Sequence, residues 1–291
     1  QEGHDKVLDV RDLRGEILRG VPRHGGVPDH RLPEMPLEAG AMIHARFLSA
    51  LVFLLSAVAA EANWYFPPPP PPEEFGNLLI DRTSTKNKVK PVTFSHWSHR
   101  RKYTCQVCHS ELDFAFKVNI SEITEAENLA GKYCGACHDG KIAFGHVKPN
   151  CGKCHNGDRG YGKEKFPELA SLPHSRSGNR IDWVRAMEEK MIAPARFLKV
   201  KPPPGIAYEK TLMLEAEWER VPPAIFPHKS HTAWLECSNC HPEIFNIQKK
   251  TTKHFEMKMN LAGEFCGVCH LTVAFPMSDC RGCHPTMKGW Q

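Results

Sequence analysis

Apolar residues recur along this chain in three short patterns, each predicting a different element. Phe47–Ala60 (FLSALVFLLSAVAA) is an apolar run relieved only by Ser49 and Ser56. Val89-Lys90-Pro91-Val92-Thr93-Phe94 alternates apolar positions with others, the period of a short strand. Ile181, Val184, Met187 and Met191 recur at spacings of three and four, which predicts a helix over Ile181–Lys190 that Pro194 stops. Met187 and Met191 read as packing residues of that helix. The rest is punctuated by 21 Gly and 24 Pro in 291 residues, poor material for a conventional core.

The apolar run has a specific setting. Met42-Ile43-His44-Ala45-Arg46 precedes it as a short basic segment, and Ala60-Glu61-Ala62 follows as an A-x-A cleavage site. Residues 42–62 therefore read as a secretory signal peptide starting at Met42. An uncleaved anchor is the weaker reading, because a membrane-spanning helix takes about 20 apolar residues. Residues 1–41, rich in Gly, Pro and charge, read as a disordered tail or, preferably, as an upstream extension ahead of the true start. Residues 63–88 hold six consecutive prolines, Pro67 to Pro72, and read as a stiff polyproline spacer or a docking segment, the spacer being preferred.

The chemistry lies beyond. All 12 cysteines fall in six Cys-x-x-Cys-His motifs: Cys105 and Cys108, Cys134 and Cys137, Cys151 and Cys154, Cys237 and Cys240, Cys266 and Cys269, Cys280 and Cys283. The histidines that close them are His109, His138, His155, His241, His270 and His284. This is the attachment signature of a c-type haem: two thiols reach the two vinyl groups, and the next residue offers an imidazole to the iron. Zinc is the rival, but a zinc ribbon needs no histidine after its second cysteine, and here one follows every time. Six covalently attached haem c groups are expected, and no cysteine is left for a structural disulfide. Six macrocycles would also supply apolar surface that the short loops lack.

The motifs repeat. Phe94-Ser95-His96-Trp97-Ser98-His99 before Cys105 returns as Phe226-Pro227-His228-Lys229-Ser230-His231 before Cys237. Asn128–His138 (NLAGKYCGACH) returns at the same offset as Asn260–His270 (NLAGEFCGVCH), differing only where Lys132, Tyr133 and Ala136 become Glu264, Phe265 and Val268. The last motif comes sooner in the second copy, Cys266 to Cys280 being a shorter step than Cys134 to Cys151. Two triheme modules are expected, at 89–160 and 221–291, joined by a linker with a short helix at 161–220. Export suits them, because covalent haem attachment takes place outside the bacterial inner membrane.

The order F-x-H-x-x-H, C-x-x-C-H, C-G-x-C-H-D-G-x-x-A-F, C-x-x-C-H resembles the triheme cytochrome c7 family, relatives of the tetrahaem cytochromes c3. The resemblance covers both modules. It implies a multihaem c-type cytochrome of low regular secondary structure, with short α-helices and a small β-hairpin per module and haems forming much of the core. Carried over by motif, His96 would pair with His109 and His228 with His241, while His99 would cross to His138 and His231 to His270. For the third haem of each module the remaining candidates are His146, His174 and His254. His146 is expected at the Cys151 haem, and His174 in a solvent-exposed loop. Some modules of the family carry one His/Met haem, so Met257 or Met259 is preferred over His254 at the Cys280 haem, with core packing the alternative for both methionines; Met277 is a further methionine there.

Charge adds a limit. Residues 1–62 hold 7 of the 38 Lys and Arg and 9 of the 33 Asp and Glu, leaving 31 against 24 in the rest. Two propionates per haem would offset that excess, so the basic balance is no nucleic-acid or membrane footprint. The expected role is an exported electron carrier, periplasmic or extracellular, with no catalytic residue and no stable membrane anchor. Expected partners are redox proteins: other multihaem cytochromes, quinol-oxidising complexes or outer-membrane conduits, with self-association possible. The alternatives are a multihaem reductase of nitrite or hydroxylamine type, or a subunit of a cytochrome filament or conduit.

Overall fold

The computed structural model describes residues 66–199, 201, 208–216, 220–248 and 252–288. The signal-peptide reading of 42–62 and the reading of 1–41 lie outside them. Among the described residues no helix is long and apolar enough to cross a membrane.

Every element is short. β1 (Asn77–Ile80) pairs antiparallel with β2 (Val92–Ser95), Leu78 opposite Phe94 and Ile80 opposite Val92. β3 (Thr211–Leu214) and β4 (Ala224–Pro227) repeat the arrangement in the second module. Neither pair is a tight hairpin. α1 (Arg82–Lys86) lies in the first connection, so part of the stretch expected as spacer is β1 and α1. Pro67 to Pro71 form no element and are exposed. The strand expected from Val89 begins only at Val92, since Pro91 has no N–H to give a ladder.

Each second strand runs directly into a helix that opens on histidine: α2 (His96–Arg100) after β2, and its repeat His228–Thr232 after β4. The helices before the second motifs, Glu125–Leu129 and Met257–Leu261, repeat at that same offset. Thr124 caps the first by accepting from the Glu127 N–H.

The segment expected as a linker supplies most of the apolar core. Leu169, Leu172, Ile181, Trp183 and Ala186 are buried there, and they cluster with Trp97 of the first module and Trp234 of the second. The helix is shorter than its periodicity suggested, Trp183–Glu188, because Lys190 turns left-handed at φ 58° well before Pro194. Met187 packs on the core, but Met191 is exposed. Hydrogen bonds tie this segment to both modules. Thr104 N–H donates to Ala195 O at 2.9 Å, and the buried Gln106 amide donates to Arg196 O at 2.7 Å. The Arg196 guanidinium donates to Ala233 O at 2.7 Å.

Trp183 is the largest side chain contributed by the intervening segment to this cluster. Trp183→Ala is expected to cost about 3–5 kcal/mol, the usual range for emptying a buried aromatic site. Chemical denaturation of the holoprotein, followed by far-ultraviolet circular dichroism, checks it; an unchanged midpoint would show that the cluster does not join the modules.

Candidate haem-binding site

A cavity of about 1560 Å³ runs through both modules. Nine of the cysteines line it, and the three that do not, Cys151, Cys237 and Cys280, are each the first of their motif. Cys151 and Cys237 are exposed, so those sites open toward the surface. No cysteine among the described residues is in a disulfide, so all the thiols remain available. Among the described residues, no group of three or more His, Cys, Asp or Glu is placed to hold a bare metal ion.

The histidines share one device. Nδ1 of each motif histidine donates to a main-chain carbonyl: His109 to Phe114, His138 to Phe144, His155 to Lys90, His241 to Phe245, His270 to Phe275 and His284 to Pro222, at 2.6–3.0 Å. The four upstream histidines do the same: His96 to Gly76, His99 to Ser95, His228 to Lys210 and His231 to Pro227, at 2.7–2.8 Å. A carbonyl can only accept, so the proton is on Nδ1 and the Nε2 lone pair is left for a metal. Among the described residues His146, His174 and His254 lack this bond. His146 is exposed, lines the cavity and stands near His138. His254 is exposed at φ 56°; Met257 and Met259 are partly buried, and none of the three lines the cavity. Met277 is buried.

F-x-H-x-x-H owes its spacing to one face of a helical turn, where residues three apart are neighbours. Its phenylalanine braces both rings. Phe94 stacks on His99 at 4.5 Å and meets His96 edge-on at 4.9 Å, and Phe226 repeats this with His231 at 4.3 Å and His228 at 4.9 Å. The ring centres of His99 and His138 are 6.3 Å apart, as are those of His231 and His270.

Burial keeps the enclosed imidazoles and thiols neutral. Burial lowers His96 to about 3, with the Arg100, His109 and His99 charges adding to it against the Gly76 bond. Burial also lowers His270 to about 4. Both values lie below the 6.5 of an unfolded histidine, so the contribution of these two rings to stability is full above pH 6.5 and is lost as pH falls from there toward 3–4. Burial, followed by neighbouring thiols, pushes Cys108 and Cys269 up to about 12. Trp234 Nε1 and Ser95 Oγ line the cavity, buried and without a partner, as donors awaiting an acceptor the chain does not provide. Free thiol pairs, imidazoles with bare Nε2, apolar walls and orphaned donors fit a porphyrin with two propionates.

Sequence comparison agrees. The family described as cytochrome c7 and related cytochrome c matches residues 92–156 and 224–285. A c7-type three-heme cytochrome domain of solved structure is 37% identical over 31% of this chain and 95% of its own length, with a TM-score of 0.24. The chain belongs to the cytochrome c7 family. It is a multihaem c-type cytochrome built of short helices and small antiparallel sheets. The C-terminal hexaheme fragment of GSU1996 is 27% identical over 76% of this chain and 99% of the fragment, TM-score 0.24. The dodecaheme cytochrome c GSU1996 is 27% identical over 78% of this chain and 52% of its own length, TM-score 0.23. A search of curated proteins returns no match.

Sequence reading missed the partners that orient the rings. It also missed why Gly follows the first cysteine of the second motif. A Cβ on Gly135 would stand 1.7 Å from Asn128 O, and one on Gly267 1.9 Å from Asn260 O. The signal was present in the repeated N-L-A-G-x-x-C-G. Gly135→Ala is expected to push the Glu125–Leu129 helix off the motif, lowering stability by about 1–3 kcal/mol and haem occupancy at Cys134 and Cys137. Haem-stained peptide mapping of the purified variant checks it; full occupancy with unchanged stability would contradict the close approach.

Proposed function

We propose that the protein is an exported hexahaem electron carrier of the periplasm or cell exterior, working in anaerobic respiratory or extracellular electron transfer. The observation that carries this reading is the set of ten imidazoles held with Nδ1–H on main-chain carbonyls. When bound, haem supplies a one-electron iron couple. The chain's part is to hold and orient it. Twelve free thiols in six motifs give attachment points for six. His109, His138, His155, His241, His270 and His284 each present Nε2 from the proximal side. His96 faces His109, and His228 faces His241, by the motif order that the family carries.

The crossed pairs have geometric support. Two imidazoles on opposite sides of one metal, with about 2.0 Å to each nitrogen and about 1.1 Å from nitrogen to ring centre, place their centres about 6.2 Å apart. The His99–His138 and His231–His270 separations of 6.3 Å fit that arrangement. An iron with two such ligands has no open position for substrate, which favours a carrier over a reductase. For the third haems, His146 serves the one on Cys151 and Cys154, and Met257 or Met259 serves the one on Cys280 and Cys283. None of Met257, Met259 and His254 lines the cavity; the preference for the methionines rests on their partial burial against the exposed His254, and a thioether ligand raises the potential. Redox proteins of the respiratory chain or cell surface are the partners this role calls for.

Intact mass of the mature holoprotein tests the reading: it should exceed the polypeptide by six haems, with low-spin spectra that nitrite leaves unchanged. A high-spin ferric signal that shifts on adding nitrite would favour the reductase. His99→Ala should open one position on the haem at Cys134 and Cys137 and leave that at Cys105 and Cys108 six-coordinate. Cyanide titration by visible spectroscopy checks it; no new cyanide-binding haem would contradict the crossed pairing.

A further inference from the structure

Several charged side chains line the cavity outside the ligation scheme, and Arg100 is the one among them that lies over two tryptophan rings. Arg100 ends α2, and its counterpart in the repeat is Thr232, so the second module has nothing equivalent. Its guanidinium carbon lies 5.4 Å from the centre of the Trp183 ring and 5.8 Å from that of Trp234. Its other contact is a long one, 3.5 Å to Val273 O. Among the described residues no carboxylate forms an ion pair with it. Arginine stays protonated in proteins, and two indole faces stabilise a cation without bringing an opposing unit charge. Arg100 is therefore a fixed, partly buried positive charge that no carboxylate of the described residues cancels.

Its position is where the modules meet. Its charge acts on His96 and Cys105 from the first module and on His270 and Cys269 from the second. Cys269 is raised by burial and next by Cys105, so these two thiols are neighbours across the boundary. The backbone agrees: Gly76, whose carbonyl holds His96, lies so near the second module that a Cβ there would stand 3.8 Å from Thr272 O. The first motif of one module thus abuts two motifs of the other, its first, where the Asn239 amide donates to Ser110 Oγ at 2.8 Å, and its middle one, on whose side Arg100 lies with its contact to Val273 O.

We propose that Arg100 is a redox-tuning cation at the crossing between the modules, where an electron passes between the haem on Cys105 and Cys108 and the haem on Cys266 and Cys269. This rests on the covalent attachment and histidine ligation proposed above. The step moves one electron from one iron to the other and makes or breaks no bond. Reduction lowers the charge of a haem by one. A nearby fixed cation stabilises the reduced form and raises the potential, and more so where water is excluded. Both haems at the crossing are raised together, so the step between them stays nearly level in energy.

Arg100→Gln and Arg100→Lys holoproteins test this by redox titration with the haems resolved by nuclear magnetic resonance. Both variants are expected to keep six low-spin haems. In Arg100→Gln the potentials of the two crossing haems should fall together, with smaller changes at the other four, and Arg100→Lys should stay near the wild type. Unmoved potentials in Arg100→Gln, an equal fall at all six haems, or identical behaviour of the two variants would overturn the role of Arg100. If Arg100→Gln does not mature, the wild-type titration decides. The two haems in cross-relaxation contact with Trp183 and Trp234 must then have the highest potentials among the bis-histidine haems, and a lower rank overturns the proposal. Wild-type protein lacking haem on either motif would instead overturn the attachment itself, and the crossing with it.

Discussion

Ten imidazole N–H groups bonded to ten main-chain carbonyls are the constraint on which the rest of this structure depends. Each bond fixes a tautomer, a ring plane and the direction in which Nε2 presents its lone pair. Each also dictates where a distant piece of chain must pass. His96 needs the Gly76 carbonyl, which brings the end of the proline-rich stretch beside β2. His155 needs Lys90 and His284 needs Pro222, so the last motif of each module folds back onto the start of its second strand, β2 or β4. The loops look irregular, but their ends are pinned at both repeats by the same atoms.

Apolar burial by the chain itself is modest and concentrated. Trp97, Trp183 and Trp234 anchor one cluster where the modules and the intervening segment meet. Elsewhere the apolar side chains line the cavity: Leu78, Ile80, Val92 and Phe94 project from one face of the β1–β2 pair into it. A protein whose strands turn their apolar face toward a void needs a large apolar group to complete the core. Porphyrin meets that need, while the imidazoles and thiols set its position. The scaffold is divided accordingly: tryptophans join the modules, and phenylalanines brace the ligand rings.

Much of this was legible in the sequence, because it rests on covalent chemistry with fixed spacing. Cys-x-x-Cys-His, F-x-H-x-x-H and their return at a constant offset are local patterns, and the repeated helices and strands fall where the repeat requires. What was not legible depends on long-range contacts. The carbonyls that hold the histidines belong to residues of every type, since a carbonyl carries no sequence signature. Residues 161–220 read as a linker because their apolar residues are scattered, yet folding gathers Leu169, Leu172 and Trp183 around Trp97 and Trp234. The helix at Trp183 ended early because a left-handed Lys190 is not foretold by apolar spacing. Arg100 looked like one more basic residue beside Arg101 and Lys102; only two indoles arriving from elsewhere set it apart.

The most direct measurement is nitrogen-15 nuclear magnetic resonance of the histidine rings in the fully reduced holoprotein, where low-spin haem is diamagnetic. Ten rings should carry their proton on Nδ1, in slow exchange with water. Rings protonated on Nε2, or several of the ten exchanging freely with water, would contradict the claim that main-chain carbonyls hold these imidazoles ready for iron.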